Sequence, residues 1–140
     1  MPIKNYTTQV NPIKTIGEIT QLLVERNANK IVVDYEGGIP IALTFQLIHK
    51  EQPLLFALPA NIDGVYKCLV RQKVPKKHST KEQAARTAWR IIKVWVEAQV
   101  AIIDSEIVTP AQVFLPYAVT KSGKTLYDEI DQTGILLINQ

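Results

Sequence analysis

Few residues in this chain have the type and spacing that chemistry requires. It holds two histidines, His49 and His78, and one cysteine, Cys68. Neither histidine stands at a metal-ligand spacing from another His, Cys or paired acid. A lone thiol can neither close an internal disulfide nor build a zinc site. Cys68 would act as a nucleophile only with a histidine beside it, and its mid-helix position reads as a small buried side chain. Ser122-Gly123-Lys124-Thr125 imitates the end of a phosphate-binding loop, but the position five residues before Gly123 is Ala118, where that loop needs glycine. Gly37-Gly38 reads as a hairpin turn, not as a dinucleotide fingerprint. The carboxylates are scattered: Asp104 and Glu106 face apart on a helix, and Asp128, Glu129 and Asp131 read as a solvated face. No catalytic residue is assigned. The expectation is a protein that is not an enzyme, with no metal and no cofactor.

The basic residues are a different matter. From Lys67 to Lys93 there are nine bases and one acid, Glu82, while the remainder of the chain holds seven bases and twelve acids. A concentrated positive field attracts polyanions. The residues expected to bind an anion are Arg71, Lys73, Lys76, Lys77, His78, Lys81, Arg86, Arg90 and Lys93. Lys76, Lys77 and His78 precede a helix whose free amides point back toward them, which favours negative charge there. Glu82, Arg86, Arg90, Lys93 and Glu97 follow in steps of four, four, three and four, so they share one helix face. A blander reading stands beside this one. Glu82–Arg86 and Lys93–Glu97 can pair along the helix, and Arg86 and Arg90 can bond acids elsewhere. Trp89 and Trp95 read as core, not as base-stacking platforms. On the anion-binding reading, removing Arg86 and Arg90 together should abolish binding and leave stability nearly unchanged.

The elements that must position these residues define an α+β fold: an N-terminal helix, a three-stranded antiparallel sheet, and a helical C-terminal half with one long central helix. The chain of 140 residues fits a single domain over 1–140. Thr15-Ile16-Gly17-Glu18 reads as a capping box opening the first helix, with Ile16, Ile19, Leu22 and Leu23 on one face and Asn27 or Asn29 as stop signals. Strands are expected over Lys30–Tyr35, Ile39–Ile48 and Leu54–Leu58. Ile31, Val33 and Tyr35 share one side of the first; Ile41, Leu43, Phe45 and Leu47 share one side of the second. Asn61 caps a helix to about Lys73, with Ile62, Val65, Leu69 and Val70 inward. After a basic loop, Ser79 or Thr80 opens the long helix, Lys81 to about Ile107, which is apolar around most of its circumference and therefore central. Thr109-Pro110 begins a short helix that Pro116 stops. Thr125–Asp131 reads as a helical turn and Gly134–Asn139 as an edge or swapped strand, the only hint of a homo-oligomer.

Composition excludes some classes. Hydrophobic residues make up 46% and charged residues 21%, an ordinary globular balance. Ile91–Ile103 is the longest apolar stretch, and Lys93, Glu97 and Gln99 interrupt it, so no membrane span is expected. The first residues, Met1-Pro2-Ile3-Lys4-Asn5-Tyr6, lead into no apolar signal core. With a single cysteine, the expected location is the cytoplasm.

Several segments carry a resemblance: Leu43-Thr44-Phe45; Phe56-Ala57-Leu58-Pro59-Ala60-Asn61-Ile62-Asp63-Gly64-Val65; Val74 through Ala84; Ala88-Trp89-Arg90-Ile91-Ile92-Lys93; Trp95 through Gln99; and Phe114-Leu115-Pro116-Tyr117. Across about Tyr6 to Asp128 the chain resembles a family of small uncharacterised proteins from bacteriophages and integrated mobile elements. The family has no established activity, so the resemblance implies a context and no catalytic residues. That context implies two roles. One is a phage-type accessory protein that binds nucleic acid or an anionic nucleotide through the basic helix-loop-helix face. The other is an anti-defence protein that sequesters a host nucleotide immune signal or blocks a host immune protein, acting in the host cytoplasm.

Overall fold

Apolar residues at every second position build three strands, and a computed structural model, which describes residues 1–134, joins them in the order β1-β2-β3. β1 is Lys30–Glu36, β2 Ile39–His49 and β3 Gln52–Pro59. All pairings are antiparallel, and the register sets Ile31, Phe45 and Phe56 in one row and Val33, Leu43 and Leu58 in the next. Leu43, Phe45, Leu47, Phe56 and Leu58 are buried, so one sheet face is the floor of the core. Tyr35 departs from the expected face. A bulge between Asp34 and Tyr35 shifts the register, and Tyr35 ends up exposed. Both hairpins turn through two left-handed residues. In the first these are Gly37 and Gly38; in the second they are Lys50 (φ 49°) and Glu51 (φ 67°), which carry side chains into a region that disfavours them.

Helices cover the apolar face. α1 (Pro12–Val24) starts earlier than the expected Thr15 box. The Asn11 side chain accepts from the Ile13 amide at 2.9 Å, and Pro12 takes the first helical position. Thr15 is instead fully buried in the helix. Asn27, at φ 75°, does turn the chain after α1. α2 (Ile62–Arg71) is capped by Asn61, whose side chain accepts from the Gly64 amide at 3.0 Å. A Cβ at position 64 would collide with that side chain, which explains a glycine in a first helical turn. Ile62 and Leu69 are buried as expected, but Val70 is exposed. α2 ends where Lys73 enters the left-handed region (φ 55°) and the Val74 amide reaches back to the Leu69 carbonyl at 3.3 Å.

A single 3-10 turn, Lys76–His78, leads into α3 (Lys81–Asp104), which Thr80 caps by accepting from the Gln83 amide at 3.1 Å. α3 ends three residues before the expected Ile107. It lies between α1 and α2, and Ala84, Ala85, Ala88, Trp89, Val96 and Val100 fill the space above the sheet. Small residues at 84, 85 and 88 let its N-terminal half approach closely. Trp89 is wholly buried, and its indole N–H donates to the Pro40 carbonyl at 2.9 Å. Burial of such a side chain contributes roughly 2–3 kcal/mol, provided the N–H is satisfied. The helix is buried on several sides, as expected, but its apolar circumference is not wholly covered. Val94 and Ile102 are exposed, and Ile91, Ile92 and Trp95 line a groove of about 250 Å³ with Leu58, Pro59 and Tyr117.

α4 (Pro110–Phe114) opens with a complete Thr109–Gln112 capping box. It delivers Phe114 into the core against Phe45, Phe56 and Trp95, at ring separations of 5.0, 6.1 and 5.7 Å. Past a 3-10 turn at Leu115–Tyr117, Ala118 bridges to Phe56 and Val119 to Thr125. Thr125 then caps α5 (Leu126–Thr133), longer than the turn expected there. The strand expected over 134–139 lies, from residue 135 on, outside the described residues. Among the described residues no helix is long and apolar enough to cross a membrane.

Candidate anion-binding surface

The expected site divides in two. Arg86, Arg90 and Lys93 do lie on one face of α3, but that face meets α1 and the N-terminal segment instead of solvent. Arg90 Nη1 donates to the buried Thr15 hydroxyl at 3.3 Å and to Glu18 Oε1 at 3.1 Å. Lys93 Nζ contacts Glu18 Oε2 at 2.6 Å. The Lys93 ammonium hydrogen bond, with the charges of Lys93 and Arg90, holds the Glu18 carboxyl below its ordinary value despite some desolvation. Two cations thus share one carboxylate. This also explains why Thr15 and Glu18 form no capping box: both side chains are turned to α3.

Arg86 is engaged differently. Its Nε and Nη2 donate to Gln83 Oε1 at 3.1 and 2.7 Å. Gln83 is buried, and its Nε2 donates to the carbonyls of Tyr6 and Thr8 at 2.9 and 2.8 Å. Neither Glu82–Arg86 nor Lys93–Glu97 is among the ion pairs of the described residues. The expectation that Arg86 and Arg90 could be removed at little cost to stability is therefore corrected. Both hold elements together.

The other half is open. Arg71, Lys73, Lys76 and Lys77 are exposed, and none takes part in an ion pair among the described residues. From Gly64 to Lys81 the chain carries six bases and no acid. The end of α2, the left-handed turn at Lys73 and the 3-10 turn follow one another directly, so these four exposed cations lie close together along the chain. His78 is half-buried, its ring edge-on to Tyr6 at a centroid distance of 5.8 Å. It packs the loop down and is not a free member of the surface. Lys81 is exposed and lines a depression with the acids Glu36 and Asp63 and with Gly37 and Asn61.

One neighbour was invisible to sequence reasoning. The Ile3 amide donates to Gln72 Oε1 at 2.6 Å, so the N-terminal segment lies against the end of α2. Lys4, exposed, comes with it. The two partners are 69 positions apart, and no local pattern signals such a contact.

No group of three or more His, Cys, Asp or Glu among the described residues could hold a metal ion. Cys68 is half-buried on α2. Arg26 joins α1 to α3 through Asp104, and Glu129 accepts from Thr120 and Ser122 in the turn before α5. No family model, no curated protein and no solved structure matches this chain.

Proposed function

We propose that this protein binds nucleic acid without catalysis, holding phosphates on the exposed cations Arg71, Lys73, Lys76 and Lys77. One observation carries the reading: an acid-free run of bases, exposed and outside the ion pairs of the described residues, at the junction of α2 and α3. Charges that fold stability required would find acceptors, as Arg90 and Lys93 do on Glu18 and Arg86 does on Gln83. Cations left in water cost the fold little and keep their full attraction for a polyanion. A compact nucleotide is better held in a walled pocket, whereas these side chains stand on an open surface. The resemblance to phage proteins suits an accessory role in handling phage nucleic acid.

Fluorescence anisotropy with labelled dT20 over a salt series tests this. Four phosphate contacts should give log K against log salt a slope of about −3. Changing all four residues to alanine should flatten most of that slope and alter stability by less than about 0.5 kcal/mol. Absence of binding to single-stranded DNA, duplex DNA and RNA alike at low salt would sink the reading.

A second reading, an anti-defence protein that blocks a host immune protein, draws on the apolar groove beside Trp95 and Tyr117 and the exposed Val94 and Ile102. Retained dT20 binding together with an unaltered host defence response would count against it.

A further inference from the structure

Resting on that nucleic-acid reading, we infer that Lys4 is a fifth ligand-contacting cation, held in place by the N-terminal segment acting as a strap, and that the ligand is an extended phosphate chain in preference to a single nucleotide.

The strap is built, not merely adjacent. Asn5 sits at φ 64°, and the Tyr6 and Thr8 amides bond the Ile3 and Asn5 carbonyls at 3.3 and 3.1 Å, folding residues 3–8 into tight turns. Side chains of α3 then hold three of its carbonyls: the Thr87 hydroxyl donates to Asn5 at 3.0 Å, and Gln83 Nε2 donates to Tyr6 and Thr8. Gln83 can do this in only one orientation of its amide. Arg86, donating twice to Oε1, selects that orientation and turns Nε2 toward the strap carbonyls, with a longer contact from Nε2 to the Thr87 hydroxyl at 3.3 Å. Arg86 is thus a positioning residue. It was expected to touch the anion and instead fixes the segment that brings Lys4.

The other end of the strap is pinned by the Ile3 amide on Gln72 Oε1. Gln72 lies in sequence between Arg71 and Lys73, so the residue after Ile3 is delivered beside two of the exposed cations. Lys4 is itself exposed and outside the ion pairs of the described residues. Lys4, Arg71, Lys73, Lys76 and Lys77 then come from three stretches of backbone: the strap, the end of α2 and the 3-10 turn. Five separated like charges cannot crowd onto one phosphate without repelling each other. Spread over a surface, they match an anion that repeats.

Salt-dependent binding of dT20, with ATP as the compact competitor, tests the inference. Lys4→Ala should lower the salt slope by about 0.7 and weaken dT20 about fivefold at 0.1 M salt, with an unchanged melting temperature. Gln83→Glu keeps the Arg86 contact through one carboxylate oxygen but sets the other against the strap carbonyls. It should reproduce the Lys4→Ala loss and add nothing when the two changes are combined. Should Gln83→Glu fail to fold, Lys4→Gln provides the same reading of slope without touching the strap. A Lys4→Ala protein that binds with the wild-type slope, while Lys76→Ala and Lys77→Ala weaken binding, overturns the role of Lys4 and leaves the nucleic-acid reading standing. ATP binding as tightly as dT20 overturns the extended-chain ligand. Wild-type protein that binds neither overturns the parent reading, and this inference with it.

Discussion

Arg90 and Lys93 project from α3 toward Glu18, whereas Lys76 and Lys77, a short way earlier in the chain, are exposed and in no ion pair of the described residues. Residue type and local charge density are alike in the two regions. Their environments are not. One face of α3 must pack against α1 and the N-terminal segment, and a cation on that face needs an acceptor, a carboxylate for Arg90 and Lys93 and an amide oxygen for Arg86. The loop between α2 and α3 packs through Val74, His78, Ser79 and Thr80, and its lysines Lys76 and Lys77 stay exposed. Charge density marked a stretch of chain and could not say which of its cations are exposed. Availability depends on what the fold sets opposite each one.

The comparison can be broken most strongly at its paired half. Changing Arg90 and Lys93 together to alanine leaves Glu18 and the buried Thr15 hydroxyl without donors. It should cost about 2 kcal/mol in urea unfolding while the dT20 salt slope stays as it was. A lost slope with unchanged stability would reverse the assignment of the two halves.

A gentler change converts one half into the other. Glu18→Gln should cost about 1 kcal/mol and free two cations, so polyanion affinity should rise. It should also change the acid limb of stability. The folded-state pKa of Glu18 is lowered, so its contribution is fully present above the ordinary carboxylate range and fades as pH falls through the lowered value. Unfolding measured from neutral to acid pH should lose that part of its slope in Glu18→Gln. A titration curve identical to wild type would show that the pairs hold nothing together.

The smallest expected effect sharpens the open half. Lys73 occupies a left-handed position at the end of α2 where glycine is at ease. Lys73→Gly should stabilise the protein by up to about 1 kcal/mol and weaken dT20 binding. Stability and binding moving in opposite directions is the mark of a side chain kept for a task. A gain in stability with full binding would remove Lys73 from the surface.

Much of the fold was legible because its signals are local. Alternation located all three strands, and Asn61, Thr80 and Thr109 announced their helices through contacts no more than three residues away. Where two local signals competed, the text of the chain could not arbitrate. Asn11-Pro12 and Thr15-Glu18 are both sound helix starts, and the second lost because Arg90 and Lys93 claimed its side chains from 72 and 75 residues away. Tyr35 was misplaced because a bulge leaves no mark in the pattern of residues before it. In the candidate site the loop cations were legible as an acid-free run. The pairing of Glu18, the burial of Gln83 and the arrival of Lys4 are all long-range contacts, and no spacing rule reaches that far.

The hydrogen bond from Trp89 to Pro40 has a practical consequence. It ties the middle of α3 to the start of β2, in a site water does not enter. Its indole should fluoresce at the short-wavelength end of the tryptophan range and resist quenching by iodide. Trp95, beside the apolar groove, should emit further to the red and be quenched more readily. The protein therefore carries two built-in optical probes: one reports whether helix and sheet remain docked, the other whether anything settles in the groove.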